Sequence, residues 1–392
     1  MSQTTLKMQI KHHVEKIANW NPQTSKESTP FRYIDLSSID RDTKEIVETS
    51  EILPSEAPSR ARQIVQTNDV LVATVRPNLN GVAVVPSILN GATASTGFCV
   101  LRPKKDKLDH RFLFHWVKNP LFVGDMVSKA TGANYPAVSD KTIKESEIPL
   151  PPLEEQKRIA AILDKADGIR RKRQQAMAMA DEFLRSVFLD MFGDPVTNPK
   201  GWEVKKLDKV AESYDCPHST PRWTAEGVVC IRTSNLAKGD WDFSEKRFVS
   251  EKDYISRSSR CEILPGDIIL SREGTIGVAA MVEDDMRLCL GQRLVHLKPK
   301  KKYVLSAFLL QCILKLTSPE VVAGGMIGTT AQRINLKYLR SIEIPVPECK
   351  LQEKYEIVYK TTKRMLNRTI SSDKSDILFS CLESNAFAGK TV

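Results

Sequence analysis

No stretch of eighteen consecutive apolar residues occurs in the 392-residue chain, so no ordinary transmembrane helix is expected. The first sixteen residues, Met1 to Lys16, lack the apolar core of a secretory signal. Eight cysteines are scattered without a Cys-x-x-Cys pair, and none has a histidine at zinc-ligand spacing. That pattern favours free thiols in a reducing cytoplasm over disulfides or a structural metal. Catalytic motifs are missing as well. There is no Gly-x-Gly-x-x-Gly, and no Asn/Asp-Pro-Pro-Tyr/Phe tetrapeptide of the kind that positions an exocyclic amine for methyl transfer. Gly389-Lys390-Thr391 looks like the end of a phosphate-binding loop, but Ser384 stands where its first glycine belongs. Glu203-Val204-Lys205 matches only the tail of a nuclease site, and the six histidines are dispersed. A binding protein is the better reading than an enzyme.

What is present is an ordinary globular composition, 41% hydrophobic and 27% charged, with a net charge of +10 and a pI of about 9.1. A basic balance favours an acidic partner, usually nucleic acid. The length fits two to three domains.

The chain also repeats itself. Glu147-Ile148-Pro149, followed by Pro151 and Gln156, returns as Glu343-Ile344-Pro345, followed by Pro347 and Gln352. The offset is 196 residues, half the chain. It also pairs Gly81-Val82-Ala83 with Gly277-Val278-Ala279, Leu101 with Leu297, Pro103-Lys104-Lys105 with Pro299-Lys300-Lys301, Phe112-Leu113 with Phe308-Leu309, and Gly132 with Gly328. A tandem duplication presents two copies of one binding unit, each large enough to bury its own core.

Each half reads as mixed α/β (α+β). In the first, 31–36, 69–73, 81–85 and 98–101 read as strands, and a helix follows Asp109. The second half replays this order. Pro151-Pro152 and Glu154-Glu155 open a long helix. Ile162, Ala166, Ile169, Arg173, Ala176, Ala180, Phe183 and Val187 form a heptad seam along it. Tyr355, Val358, Thr362, Met365, Thr369 and Ser372 continue the rhythm in the second copy. Residues 153–191 and about 350–386 are therefore expected to pack as two antiparallel coiled-coil helices. Leu163, Met177, Met179, Leu184, Phe188 and Leu189 are left outside the seam as an exposed apolar stripe for a protein partner. The basic run Arg170 to Arg173 reads first as a solvated helix face. The expected division is one globular domain over 1–150, a central helix over 151–195, a second domain over 196–347 and a distal helix over 348–392.

Loops of each half collect donors suited to base edges: Arg60, Arg62, Arg76, Asn78, Asn80, Lys129, Asn134 and Tyr135 in the first, and Arg222, Arg232, Asn235, Lys238, Arg272, Glu273, Thr275, Thr330, Gln332 and Arg333 in the second. Arginine suits guanine, Asn and Gln suit adenine, and Glu accepts from cytosine. The turn Ser271 to Thr275 is taken as the match of Arg76 to Asn80.

Glu147 to Ile159, with its Ile-Pro-Leu-Pro-Pro-Leu-Glu-Glu-Gln run, resembles the start of the central conserved helix in specificity (S) subunits of type I restriction–modification systems. Phe192-Gly193-Asp194-Pro195 with Asn198-Pro199-Lys200-Gly201-Trp202 resembles their passage into a second target-recognition domain. Leu264 to Gly277 is similar to a recurrent segment within those domains, for which the first half has Asn68-Asp69-Val70 in place of Pro-Gly-Asp-Ile. The resemblance implies two target-recognition domains, each reading half of a bipartite site in double-stranded DNA. It implies helices that set the spacer and dock two methyltransferase (M) subunits, with restriction (R) subunits joining. S-adenosylmethionine would sit on the M subunits, and this chain would hold no cofactor and no catalytic residue. The readings against it are a nuclease or methyltransferase of a related system, and a duplicated protein–protein scaffold.

Overall fold

The computed structural model describes residues 6–25, 28–322, 326–327, 333–369 and 387. The chain divides into two compact units, one of residues 1–170 with 375–392 and one of residues 171–374. Both are built on one plan. In the first, Lys7–Gln9 pairs antiparallel with Glu147–Pro149. An antiparallel sheet runs in the order Val14–Glu15, Phe98–Pro103, Val70–Ala73, Val82–Val84. A second sheet runs Ser50–Ile52, Phe31–Ile34, Thr93–Ser95, Ala61–Ile64, its middle pair parallel. The second unit repeats this with Val204–Lys206 on Glu343–Pro345, a sheet of Ala211–Asp215, Leu294–Pro299, Ile268–Ser271 and Ala279–Met281, and a parallel pair of Val228–Ile231 with Leu288–Leu290.

A helix lies on the first sheet of each unit. His110–Lys118 is capped by Asp109, whose carboxylate accepts from the amides of Arg111 (3.0 Å) and Phe112 (3.1 Å). It buries Phe112, Leu113 and Val117 against Val70, Val72 and Leu101. Ser306–Leu316 buries Phe308, Leu309 and Ile313 against Ile268, Leu270 and Leu297. Phe387 joins the first core, its ring 5.3 Å from Phe112 and 5.1 Å from Trp116.

The long helix is Leu153–Phe192, forty residues and so about 60 Å. Gly193, at φ 80°, ends it in the left-handed conformation. Its buried face differs from the expected seam by one position. Gln156, Ile159, Ala160, Leu163 and Asp167 are buried, and further on Leu184, Phe188 and Phe192, whereas Phe183 is 50% and Ile169 46% exposed. The rotation has a physical cause: the helix presents its most apolar face to the core of each unit, which in the second unit includes Tyr355 and Tyr359 of the helix Cys349–Thr369. Leu163, Leu184 and Phe188 are thus core residues, and of the expected stripe Met177, Met179 and Leu189 stay exposed, joined by Ile169 and Phe183 from the expected seam. Within the second unit, Cys349–Thr369 packs antiparallel to this helix. The Tyr355 hydroxyl donates to the Leu184 carbonyl (3.2 Å), and Lys363, two turns on, reaches back to Asp181 (3.5 Å). The expected continuation over 370–386 lies outside the described residues.

A buried glutamine joins each unit to its helix. Gln156 Oε1 accepts from the Asp109 amide (2.9 Å), and Nε2 donates to the carbonyls of Lys107 (3.1 Å) and Pro151 (2.9 Å). Gln352 accepts from the Leu305 amide (2.8 Å) and donates to Tyr303 (2.9 Å) and Pro347 (2.8 Å). Every partner is displaced by 196 residues.

The offset is not constant throughout. Asn68 and Gly266 make the same turn: both are left-handed, at φ 72° and 88°, and their amides donate to Val85 and Val282 (2.9 and 2.8 Å). Asparagine tolerates this conformation nearly as well as glycine, so Asn68-Asp69-Val70 is the counterpart of Gly266-Asp267-Ile268. Leu71 pairs with Ala83 and Ile269 with Ala280, which aligns Gly277 with Asn80 and corrects its pairing with Gly81.

Replacing Gln156 or Gln352 by Leu leaves buried backbone groups without partners. We expect each substitution to destabilise its own unit, by about 1–3 kcal/mol per orphaned group. Denaturant unfolding with hydrogen exchange at the Asp109 or Leu305 amide measures this, and unchanged protection there would refute the clamp.

Candidate nucleic-acid interface

At one end of each unit, the turn after the central strand meets a hairpin that follows the helices. In the first unit the Arg76 amide donates to the Pro136 carbonyl (2.7 Å), and the Val138 amide to Thr74 (2.9 Å). Val75 and Thr131 both bridge to Ala137. Gly132, at φ 103°, turns the hairpin back, and a Cβ there would stand 3.1 Å from the Tyr135 carbonyl oxygen. In the second unit Ile327 pairs with Arg333, Glu273 bridges to Arg333, and the Ile334 amide donates to Arg272 (2.8 Å). A third turn joins each rim: Thr74 donates to Gly97 (2.9 Å), and Arg272 to Arg293 (3.2 Å). The two backbone frames match, and the side chains on them do not.

The first rim carries Arg76, Asn78, Asn134 and Tyr135, all exposed. The Arg76 guanidinium lies over the Tyr135 ring at 4.7 Å, which flattens and steadies both groups. Arg60 is exposed, its carbonyl accepting from the amide of Thr96, next to Gly97 of the third turn, at 2.8 Å. Arg62 is half-buried and donates to its neighbour Ala61. Asn80 takes a structural role: left-handed at φ 47°, it donates to the Lys118 carbonyl (3.0 Å) and hangs the turn on the end of the helix. Lys129 is exposed and paired along its helix with Asp125 (2.7 Å).

On the second unit, Arg222, Lys238, Thr275 and Arg333 are exposed. Thr330 and Gln332 lie outside the described residues. Three candidates turn inward. Asn235 is 1% exposed. Its Oδ1 accepts from the Arg232 amide (3.0 Å) and its Nδ2 donates to Asp242 and Glu245 (3.0 and 2.8 Å). No group of it is left for a base. Arg232 holds the same loop through Glu245 (3.3 Å). Arg272 Nη2 reaches both carboxylate oxygens of Asp215 (3.0 and 3.1 Å), with only 12% and 19% of the two side chains exposed. It is the counterpart of Thr74 rather than of Arg76, and it braces the turn from within. Glu273 is 24% exposed and stands 3.4 Å from Arg293 Nε.

Residue-by-residue reasoning on the sequence missed Arg293. It sits in Gly291-Gln292-Arg293 between two apolar strands, so a turn signal was there to be read. Among the described residues no group of three or more His, Cys, Asp or Glu could hold a metal, and no helix is long and apolar enough to cross a membrane.

Comparison with known proteins bears on this arrangement. The family model for the type I restriction modification DNA specificity domain matches twice, over residues 41–177 and 199–370. The MjaVIII specificity subunit of a type I restriction enzyme from Methanocaldococcus jannaschii is 25% identical over 308 residues, covering 74% of this chain and 71% of its own. The EcoBI specificity subunit from Escherichia coli is 24% identical over 307 residues, covering 70% of this chain and 61% of its own, less than two thirds of that relative. In fold, the S subunit of a type I restriction–modification system from M. genitalium superposes with a TM-score of 0.60 at 15% identity, covering 97% of this chain and 96% of its own. A chain from a study of assembly and conformational transition of the type I R-M system superposes with a TM-score of 0.53 at 24% identity, covering 98% of both.

The inward and outward arginines separate by stability. Arg272→Ala strands Asp215 in a half-buried site and is expected to cost on the order of 3 kcal/mol. Arg333→Ala, on the surface, should stay within about 0.5 kcal/mol of the parent. Equal unfolding midpoints for the two variants would show that the Asp215 pair does not brace the turn.

Proposed function

The chain belongs to the type I restriction–modification DNA specificity family and is a specificity subunit with two tandem DNA-recognition domains, and from that premise we propose that each unit reads one half of a bipartite site in double-stranded DNA through its rim. Arg76, Asn78 and Tyr135, flanked by Arg60, read for the first unit. Thr275 and Arg333 read for the second, with Arg222 and Lys238 set to meet phosphates. The observation that carries this reading is the matched backbone frame with unmatched side chains, Arg76 over Tyr135 on one rim and Glu273 beside Arg293 and Arg333 on the other. One scaffold that varies only its exposed donors suits the reading of two different sequences.

The remaining roles are assigned to the helices and to other chains. The helix Leu153–Phe192 sets the number of base pairs between the half-sites. Its exposed Met177, Met179, Phe183 and Leu189 dock methyltransferase subunits, two per chain, and restriction subunits join that complex. Methyl transfer and S-adenosylmethionine belong to the methyltransferase subunits, and the present chain selects the DNA without catalysing.

With the partner methyltransferase present, Arg76→Ala should lose about 1–3 kcal/mol of base discrimination in one half-site and leave the other unchanged. Sequencing of methylated DNA reads this directly. An even loss over both half-sites would mean that Arg76 holds phosphate or the fold. Four residues of helix added near Ala176 lengthen it by about 6 Å, roughly two base pairs of spacer, so an unchanged spacer would refute the ruler. The purified chain alone should transfer no methyl group to DNA from S-adenosylmethionine.

A further inference from the structure

The two rims exchange glycine and arginine. Thr74 and Arg272 are equivalent by their hydrogen bonds, donating to the carbonyls of Gly97 and Arg293 respectively. Arg293 therefore occupies the place of Gly97. Conversely, Arg76 lies two residues past Thr74, where the second unit has Gly274 two residues past Arg272. Arg76 and Arg293 are both left-handed, at φ 51° and 69°, a conformation that disfavours long side chains. The sister copy has glycine at each place, left-handed at Gly274 (φ 82°) and not left-handed at Gly97, so neither arginine side chain is required for a turn there. A strained residue whose side chain the fold does not use marks a functional position.

The Arg293 side chain is 60% exposed, and its Nε stands 3.4 Å from Glu273 Oε1. Glu273 is itself fixed by its backbone bridge to Arg333. Among the described residues, the Nη1 and Nη2 groups of Arg293 have no hydrogen-bond partner. A guanidinium braced at Nε presents its outer edge as two parallel donors. That edge matches the O6 and N7 acceptors of guanine in the major groove.

We propose that Arg293 is the guanine-reading residue of the second unit and that Glu273 is its positioning residue. Glu273 thereby serves the arginine and does not accept from cytosine. The proposal rests on the DNA-reading role of the rims and adds the base and the residue that reads it. The first unit supports its own arginine differently, by the face of Tyr135, and among the described residues no hydrogen-bond partner takes its donor edge.

The test uses the full chain with its methyltransferase partner, S-adenosylmethionine and a DNA pool randomised in both half-sites, read by sequencing the methylated products. Arg293→Gly suits φ 69°, so its melting temperature should hold or rise, which separates reading from folding. Its preference for G·C at one position of one half-site should fall about 10- to 100-fold, with every other position unmoved. Glu273→Gln should give a smaller loss at that same position. Arg293→Lys should not restore the preference, because an ammonium lacks the fork. Weakening of all sequences alike, with a shallower salt dependence, would make Arg293 a phosphate contact and overturn the proposal while leaving the two-half-site reading intact. An effect at an A·T position, or none, would overturn it too. A parent chain with no bipartite preference would sink the underlying reading, and this proposal with it.

Discussion

A path of contacts ties each rim to one side chain, the buried glutamine at the start of each unit's closing helix. Gln156 fixes the amide of Asp109, and Asp109 caps the helix His110–Lys118. The last carbonyl of that helix, Lys118, receives Asn80, and Asn80 closes the turn that carries Arg76. The same path runs from Gln352 through Leu305 to the helix Ser306–Leu316. It ends at Thr317, whose carbonyl oxygen lies so near Gly277 that a Cβ there would meet it at 2.6 Å. A polar group taken out of water and fully partnered specifies geometry better than apolar contact does, which suits a part that must aim side chains some distance away.

The rims show how a fold separates support from recognition. Their backbone hydrogen bonds repeat from one copy to the other, and so do three left-handed positions, Asn68 with Gly266, Arg76 with Gly274 and Asn80 with Gly277. Inward polar groups, Asn235 in its loop and Arg272 on Asp215, hold the turns in place. Outward groups differ freely. The division explains why two positions of the second rim two residues apart, Arg272 and Gly274, the latter the counterpart of Arg76, have unrelated roles. One completes an ion pair and the other place is empty of side chain.

Much of the plan was legible in the residues. Proline, glycine and the two glutamines mark the repeat because backbone geometry constrains them. Helix ends followed from Pro151-Pro152 and Gly193. The face of the long helix was not legible. A spacing of three and four residues fits a seam against another helix as well as a stripe against a sheet-and-helix core, and the neighbouring apolar set Leu163, Leu184 and Phe188 won. Nor does a polar residue in a loop announce its direction: Asn235 and Arg272 have the composition of base readers and the hydrogen bonds of braces. The drift in the repeat, two residues at Asn68 and Gly266, was hidden because either residue type can take the same left-handed turn.

Each unit is also closed at its own doorway. Lys7–Gln9 runs against Glu147–Pro149, and Val204–Lys206 against Glu343–Pro345, so the chain enters and leaves a unit on adjacent, hydrogen-bonded strands. A segment with neighbouring ends can be cut out and another of the same plan put in without disturbing what flanks it. The conserved geometry lies at the seam of the exchange and the variable chemistry at the far end of the unit. An exchange with one crossover in each strand of a pair would therefore replace one DNA-recognition unit, with the long helices and their register left as they were.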